Sequence, residues 1–297
     1  MRKGIRVTFQ KLKRMVCSGG FWISVVLIFI ITITTEAYTH FDGSQYSLLT
    51  ILFHFDENAR IQNNMNAQSK ITLLQVSFTM YGMLFSSMAY ASVLCEEQKH
   101  GICRYMLIKE GMWTHILSNA FATMLASGLV FVVGSVVTEI FILWNYPLMS
   151  EIDGYALESW LTYNAKHAPW LYEMLGEMAT FAQLLLGVFL YGTFCGFLGF
   201  ICSAFFSNVY LLTCIPYFFG YSYYSITQAI EARALEGNLP MECLQLMYTY
   251  VSPGSYMSYW SYKDSLWANM LVFIFVWVMG IGIHKMCLEK RADCGGI

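Results

Sequence analysis

Glu96-Glu97-Gln98-Lys99-His100-Gly101-Ile102-Cys103-Arg104-Tyr105-Met106-Leu107-Ile108-Lys109-Glu110-Gly111 is a polar-to-mixed segment wedged between two long apolar runs. Its glycines bracket Ile102 to Glu110, which as a helix would be roughly 13 Å long, too short to cross a bilayer but long enough to lie along its surface. Only Arg104, Lys109 and Glu110 are charged there, while Ile102, Tyr105, Met106, Leu107 and Ile108 cover most of the circumference. A helix apolar on several sides needs cover on several sides. Neighbouring spans and headgroups cover one face, and the other invites a soluble partner. Composition alone favours a plainer reading, a turn plus the first turns of the next span.

The flanking runs set the class. Of 297 residues, 57% are hydrophobic and only 12% are charged, about half the charged share of an ordinary soluble domain. Apolar runs recur along nearly the whole chain with no linker between them, which predicts a single transmembrane domain over 1–297. The predicted fold is an all-α integral membrane protein with six spans, at about 20–38, 71–95, 115–144, 179–205, 209–230 and 266–286. Each has the roughly 20 residues needed to cross the hydrocarbon.

Ahead of the first span, Arg2, Lys3, Arg6, Lys11, Lys13 and Arg14 surround a narrow stripe of Ile5, Phe9, Leu12 and Val16. This reads as a basic amphipathic helix on the membrane surface, with a plain positive flank as the competing reading. Phe21 to Thr35 behind it has a signal peptide's shape, but no small-x-small site follows. Charge bias orients the spans. The amino terminus, the loop with Lys99, Arg104 and Lys109, and the carboxy-terminal Lys285, Lys290 and Arg291 together hold 12 of the 17 basic residues. Both termini and the Glu96–Gly111 segment are therefore expected on the cytoplasmic side. The outer side receives three long, acidic segments, about 39–70, 145–178 and 231–265.

Several chemistries find no residues. No lysine is preceded by glycine, so no Walker-type phosphate cradle exists in the chain and no cofactor is expected on it. Neither a paired-carboxylate nor an H-E-x-x-H constellation occurs within the spans, and no cysteine pair has CxxC spacing. His115 and His284, at span ends, are expected to meet headgroups or water. Glu139 is placed near the outer interface, and midplane acids of the kind that ion-coupled carriers use are lacking. Gly192 and Gly196, with Gly187 and Gly199 nearby, predict close helix packing within the subunit, and Pro216 predicts a static kink in the fifth span.

The order of elements, with Tyr250-Val251-Ser252-Pro253 before the sixth span, resembles the membrane (permease) subunit of type-2 ABC transporters. In that family acidic residues, a glycine, hydrophobic residues and a later basic residue follow the second span and form a coupling helix. Here the segment is similar through Glu96, Glu97, Gly101, Ile102, Tyr105, Met106 and Lys109, and Arg104 lies within it. The chain departs from the pattern at Ile102, where threonine is frequent, and at Ser118-Asn119, where a basic residue is usual.

The resemblance implies a permease of a bacterial inner membrane, paired with a second permease subunit as a homo- or heterodimer. Cytoplasmic ATPase subunits carrying ATP and magnesium would dock on the 96–111 segment, and the expected activity is export of an amphipathic or peptide-like substrate. The competing reading is a stand-alone receptor or immunity protein that binds a peptide at its outer loops. An ATPase reading frame beside this one favours the first, and an isolated gene the second.

Overall fold

The computed structural model describes residues 2–39, 44–63, 65–67, 70, 74–99, 102–152, 157–158, 169–235 and 265–293. The described chain is mostly helical. Its first helix, α1 (Arg2–Val16), meets α2 (Gly19–Thr34) at a bend of 58°. Ser18 makes the corner: its Oγ accepts from Phe21 N at 3.3 Å as the cap of α2 and donates to Met15 O at 2.7 Å, tying the two helices together.

The predicted first span runs to Tyr38, but the helix stops at Thr34. Ile30 to Thr34 is a β-branched run that forms the last turn of the helix, and the chain turns extended at Thr35, with φ −67° and ψ 143°. It forms a two-stranded antiparallel sheet, β1 (Glu36–Thr39) with β2 (Gln45–Ser47), bulged between Glu36 and Tyr38. An all-α fold is thus corrected to a helical fold with one small hairpin. Short helices α3 (Leu48–His54) and α4 (Glu57–Gln62) follow, capped by Ser47 and Asp56.

The long helices come next: α5 (Leu74–Lys99), the short α6 (Ile102–Glu110) and α7 (Met112–Asn145), the longest of those described. After α8 (Met149–Ile152), α9 (Pro169–Leu175) and a 3-10 turn at Gly176–Met178, the chain enters α10 (Ala179–Ser203), α11 (Val209–Leu235) and α12 (Ser265–Asp293). Between α10 and α11, Asn208 Oδ1 accepts from Tyr210 N at 2.9 Å in a tight turn.

Helices lie over each of the six predicted spans. Among the described residues, Met112–Ile152 and Phe181–Ser203 are long and apolar enough to cross a membrane, and a third span results if the bent α1–α2 pair counts as one. In α11 the apolar stretch covers only Val209–Ser222, and Glu231 and Arg233 follow it; α5 is diluted by Gln75, Ser77, Ser86 and Ser87 before Glu96 and Glu97. The third outer segment falls, beyond Leu235, largely outside the described residues, as does Tyr250-Val251-Ser252-Pro253.

The core is built where α7 meets α10. A Cβ on Gly192 would approach Gly128 Cα at 2.9 Å, and one on Gly196 would approach Ser127 Cβ at 2.7 Å. The small residues therefore bring the two helices together within the chain, as expected. Phe131 and Tyr191 stack edge to face across this seam at 5.7 Å. A second cluster, of Met15, Tyr90, Leu94, Ala122 and Leu212, ties α1, α5, α7 and α11 together.

Helix α1 buries a face other than its apolar stripe. Val7, Lys11 and Met15, spaced i, i+4, i+8, are inside, while Ile5 and Phe9 are 69% and 67% exposed. That half of the stripe is open, while Leu12 and Val16 are half-buried against the core, and a lysine occupies the packed side.

Candidate functional site

The bracketed segment forms α6 over Ile102–Glu110, the bounds its glycines suggest. Gly111 closes it with φ +86° and ψ 147°, a conformation nearly confined to glycine, and its N–H donates to Leu107 O at 3.0 Å. The next helix starts at once, with His115 N donating to Gly111 O at 3.0 Å. A single residue therefore serves as the end of α6 and the cap of α7.

Helix α6 has two unlike sides. Tyr105, Ile108 and Lys109, spaced i, i+3, i+4, are exposed, with Ile108 80% so, and the Lys109 ammonium lies 5.4 Å from the Tyr105 ring centroid. Met106 is half-buried, and Leu107 packs inward against the cluster of Ile116, Phe197, Phe200 and Leu288. Of the other residues read as the partner-binding set, Ile102 and Arg104 lie on this helix and Gly101 falls outside the described residues. Glu96 and Glu97 end α5, and they differ: Glu96 is exposed and Glu97 is buried.

Glu97 leads into a polar cluster that periodicity did not reveal. Arg14 Nη1 donates to Glu97 Oε1 at 3.1 Å, and Arg14 Nη2 lies 3.7 Å from Glu96. Lys11 Nζ stands 3.9 Å from Glu97 Oε2 and donates to Asn119 Oδ1 at 2.6 Å. His115 sits beside both, with Nδ1 3.3 Å from Lys11 Nζ and 3.9 Å from Glu110 Oε2, and Nε2 3.2 Å from Asn119 Nδ2.

Because Asn119 Oδ1 receives the lysine, its Nδ2 is the donor toward His115 Nε2, while His115 Nδ1 faces the Lys11 ammonium. Lys11, Glu97, His115 and Asn119 are each 5% exposed or less. Burial pushes the Glu97 carboxyl above the usual carboxylate range, and the Lys11 and Arg14 cations pull against that rise.

One expectation changes here. His115 and His284 do not meet headgroups or water: they are 2% and 4% exposed, and the His284 ring lies 4.2 Å from that of Phe200. Ser118-Asn119, a departure from the family pattern, supplies a buried acceptor for Lys11. The sequence signal was the set of polar residues at one end of an otherwise apolar run, His115, Ser118, Asn119 and Thr123, at spacings that share a helix face. The partners lie 83 to 108 positions away, which no local pattern encodes.

The geometry clasps both ends of α6. Glu97 at the end of α5 grips α1, and Glu110 at the end of α6 faces His115 of α7. Among the described residues no group of three or more metal-ligating side chains occurs. Compared with protein-family models, with curated proteins and with solved structures, the chain matches none.

Proposed function

We propose that this chain is the permease subunit of an ATP-driven ABC transporter. A separate cytoplasmic ATPase docks on α6, and a second permease subunit completes the path. In this reading six helices span a bacterial inner membrane, both termini are cytoplasmic, and the cargo is an amphipathic or peptide-like molecule moved outward.

The observation that carries the reading is α6 itself: a nine-residue helix between two long ones, with an exposed Tyr105, Ile108, Lys109 face and an inward side clamped by Leu107 and Glu110. An exposed aliphatic beside an aromatic and a cation suits a docking patch for protein better than a solvated turn. Support for force transfer comes from the clasp. A push on α6 acts on α1 through the Glu97 pairs with Lys11 and Arg14, and on α7 through Gly111 and the Glu110–His115 contact.

The test is crosslinking from single cysteines at Tyr105 and Ile108, in an otherwise cysteine-free chain, on native membranes with and without ATP and vanadate. A nucleotide-sensitive adduct with a soluble subunit bearing a Walker motif is expected. Reagent labelling at both positions without any adduct would remove the ATPase from the proposal.

A further inference from the structure

Helix α1 and the first turns of α7 do not close against each other along their whole length. Between them lies a groove of about 700 Å³, within the size range of sites that bury small molecules. One wall is the displaced stripe of α1, Ile5, Phe9 and Leu12, and the other is Trp113, Leu117 and Phe121 of α7. Of its three hydroxyl residues, Thr8 donates to Gly4 O at 3.1 Å, Ser118 donates to His115 O at 3.0 Å, and Thr114 turns its methyl toward Gly4. An occupant need bring no polar group into the groove, and an aliphatic chain meets that condition.

The rim has the opposite character. Arg6 and Lys13 are exposed and stand at i−3 and i+4 from Phe9, on its side of the helix. At the facing lip, Lys285 Nζ is 5.0 Å from the Trp113 ring centroid, with Glu289 pairing to it at 3.3 Å. Three cations and one anion leave the mouth positive. An indole at the lip of an apolar slot is also the usual arrangement at a membrane–water boundary.

We propose that this groove is a lipid site that holds an acyl chain of an anionic phospholipid, with the phosphate headgroup against Arg6, Lys13 and Lys285. The bound lipid fills the gap between the surface helix and α7 beside the Lys11–Glu97–Asn119 cluster, so the seating of α1 depends on lipid charge. This inference needs the chain to lie in a membrane; it does not rest on the ATPase reading.

The test uses the full chain in phosphatidylcholine vesicles, titrated with phosphatidylglycerol brominated on its acyl chains or with phosphatidylcholine brominated in the same way. The Trp113 emission is the wild-type signal minus that of Trp113→Phe, a change at a half-exposed position. We expect half-quenching at a mole fraction about tenfold lower for the anionic lipid, and a difference within about twofold for an Arg6→Gln/Lys13→Gln double variant. As a readout independent of tryptophan, mass spectrometry of wild-type protein purified in mild detergent should show phosphatidylglycerol retained, and the double variant should lose it. Equal quenching by the two lipids would mean ordinary surrounding lipid and overturn the proposal. Quenching by neither would mean a groove covered by protein, such as a second copy, and would overturn it as well.

Discussion

The two ends of α7 are stabilised in different ways. At the His115 end, buried polar groups meet charged and amide side chains from distant parts of the chain, and Glu97 Oε2 and Glu110 Oε2 are left without a hydrogen bond among the described residues. At the Tyr146 end buried polar groups are satisfied by backbone: Tyr146 Oη donates to Leu48 O at 2.6 Å, Arg60 donates to Asn145 O, and Ala67 N donates to Pro147 O at 2.9 Å. Side-chain ion pairs can be undone by a change of charge or by a push of an ångström. Contacts to carbonyls of the main chain move only with the fold, so the first end is the adjustable one and the second the anchored one.

The largest effect expected of this contrast is at Lys11. Lys11→Met leaves Asn119 Oδ1 buried without its donor and Glu97 with Arg14 as its remaining cation, and should cost about 3 kcal/mol, read as a fall in apparent Tm in detergent at a fixed scan rate. Lys11→Met combined with Glu97→Leu should recover much of that loss. If the single and double variants unfold together, the cluster is not a coupled unit.

At the anchored end the charge that matters is Lys70, 5% exposed, whose ammonium is pushed down by burial to about 8 from 10.5. The folded state then binds fewer protons than the unfolded state between those values, so stability rises with pH from about 8 to about 10.5, by about 3 kcal/mol in all. Below pH 8 that contribution is lost. Across this range the slope of stability with pH should be more positive in the wild type than in Lys70→Met, and equal slopes would contradict a buried lysine.

Tyr146→Phe removes one hydroxyl and strands the Leu48 carbonyl, for an expected loss of about 1–2 kcal/mol that salt does not change. The smallest effect falls at Arg14, about half exposed: Arg14→Gln should cost under about 1 kcal/mol and fade with salt. A large, salt-insensitive loss there would move the centre of the cluster from Lys11 to Arg14.

These contrasts also mark what could be read in the chain. Helix α6 was legible because two glycines punctuate an otherwise continuous pattern, and the packing of α10 because Gly192 and Gly196 share a face. The hairpin after Thr34 was missed because its strands, Glu36–Thr39 and Gln45–Ser47, are too short to show an alternation. Lys11 was read with the outward basic residues because the other cations of that segment fit a surface helix, and only a partner 86 positions away, at Glu97, turns it inward. The count of spans rests on hydropathy in a chain where α5 and α11 mix polar residues into their lengths, which is why α7 and α10 stand out and the others do not.

The placement of Gly128 has a mechanical consequence. It lies at the centre of the 34-residue α7, where Gly192 of α10 packs closely against it. About 25 Å of helix extends to either side. A rod clamped at its middle and tied at its Asn145 end is a cantilever: displacement delivered at Gly111 is taken up in the first arm and does not reach Asn145. Motion in this molecule would therefore be damped on its way from one end to the other, and Gly128→Leu, by prising the clamp at Phe189 and Thr193 open, should loosen the first arm while the Asn145 end stays tied.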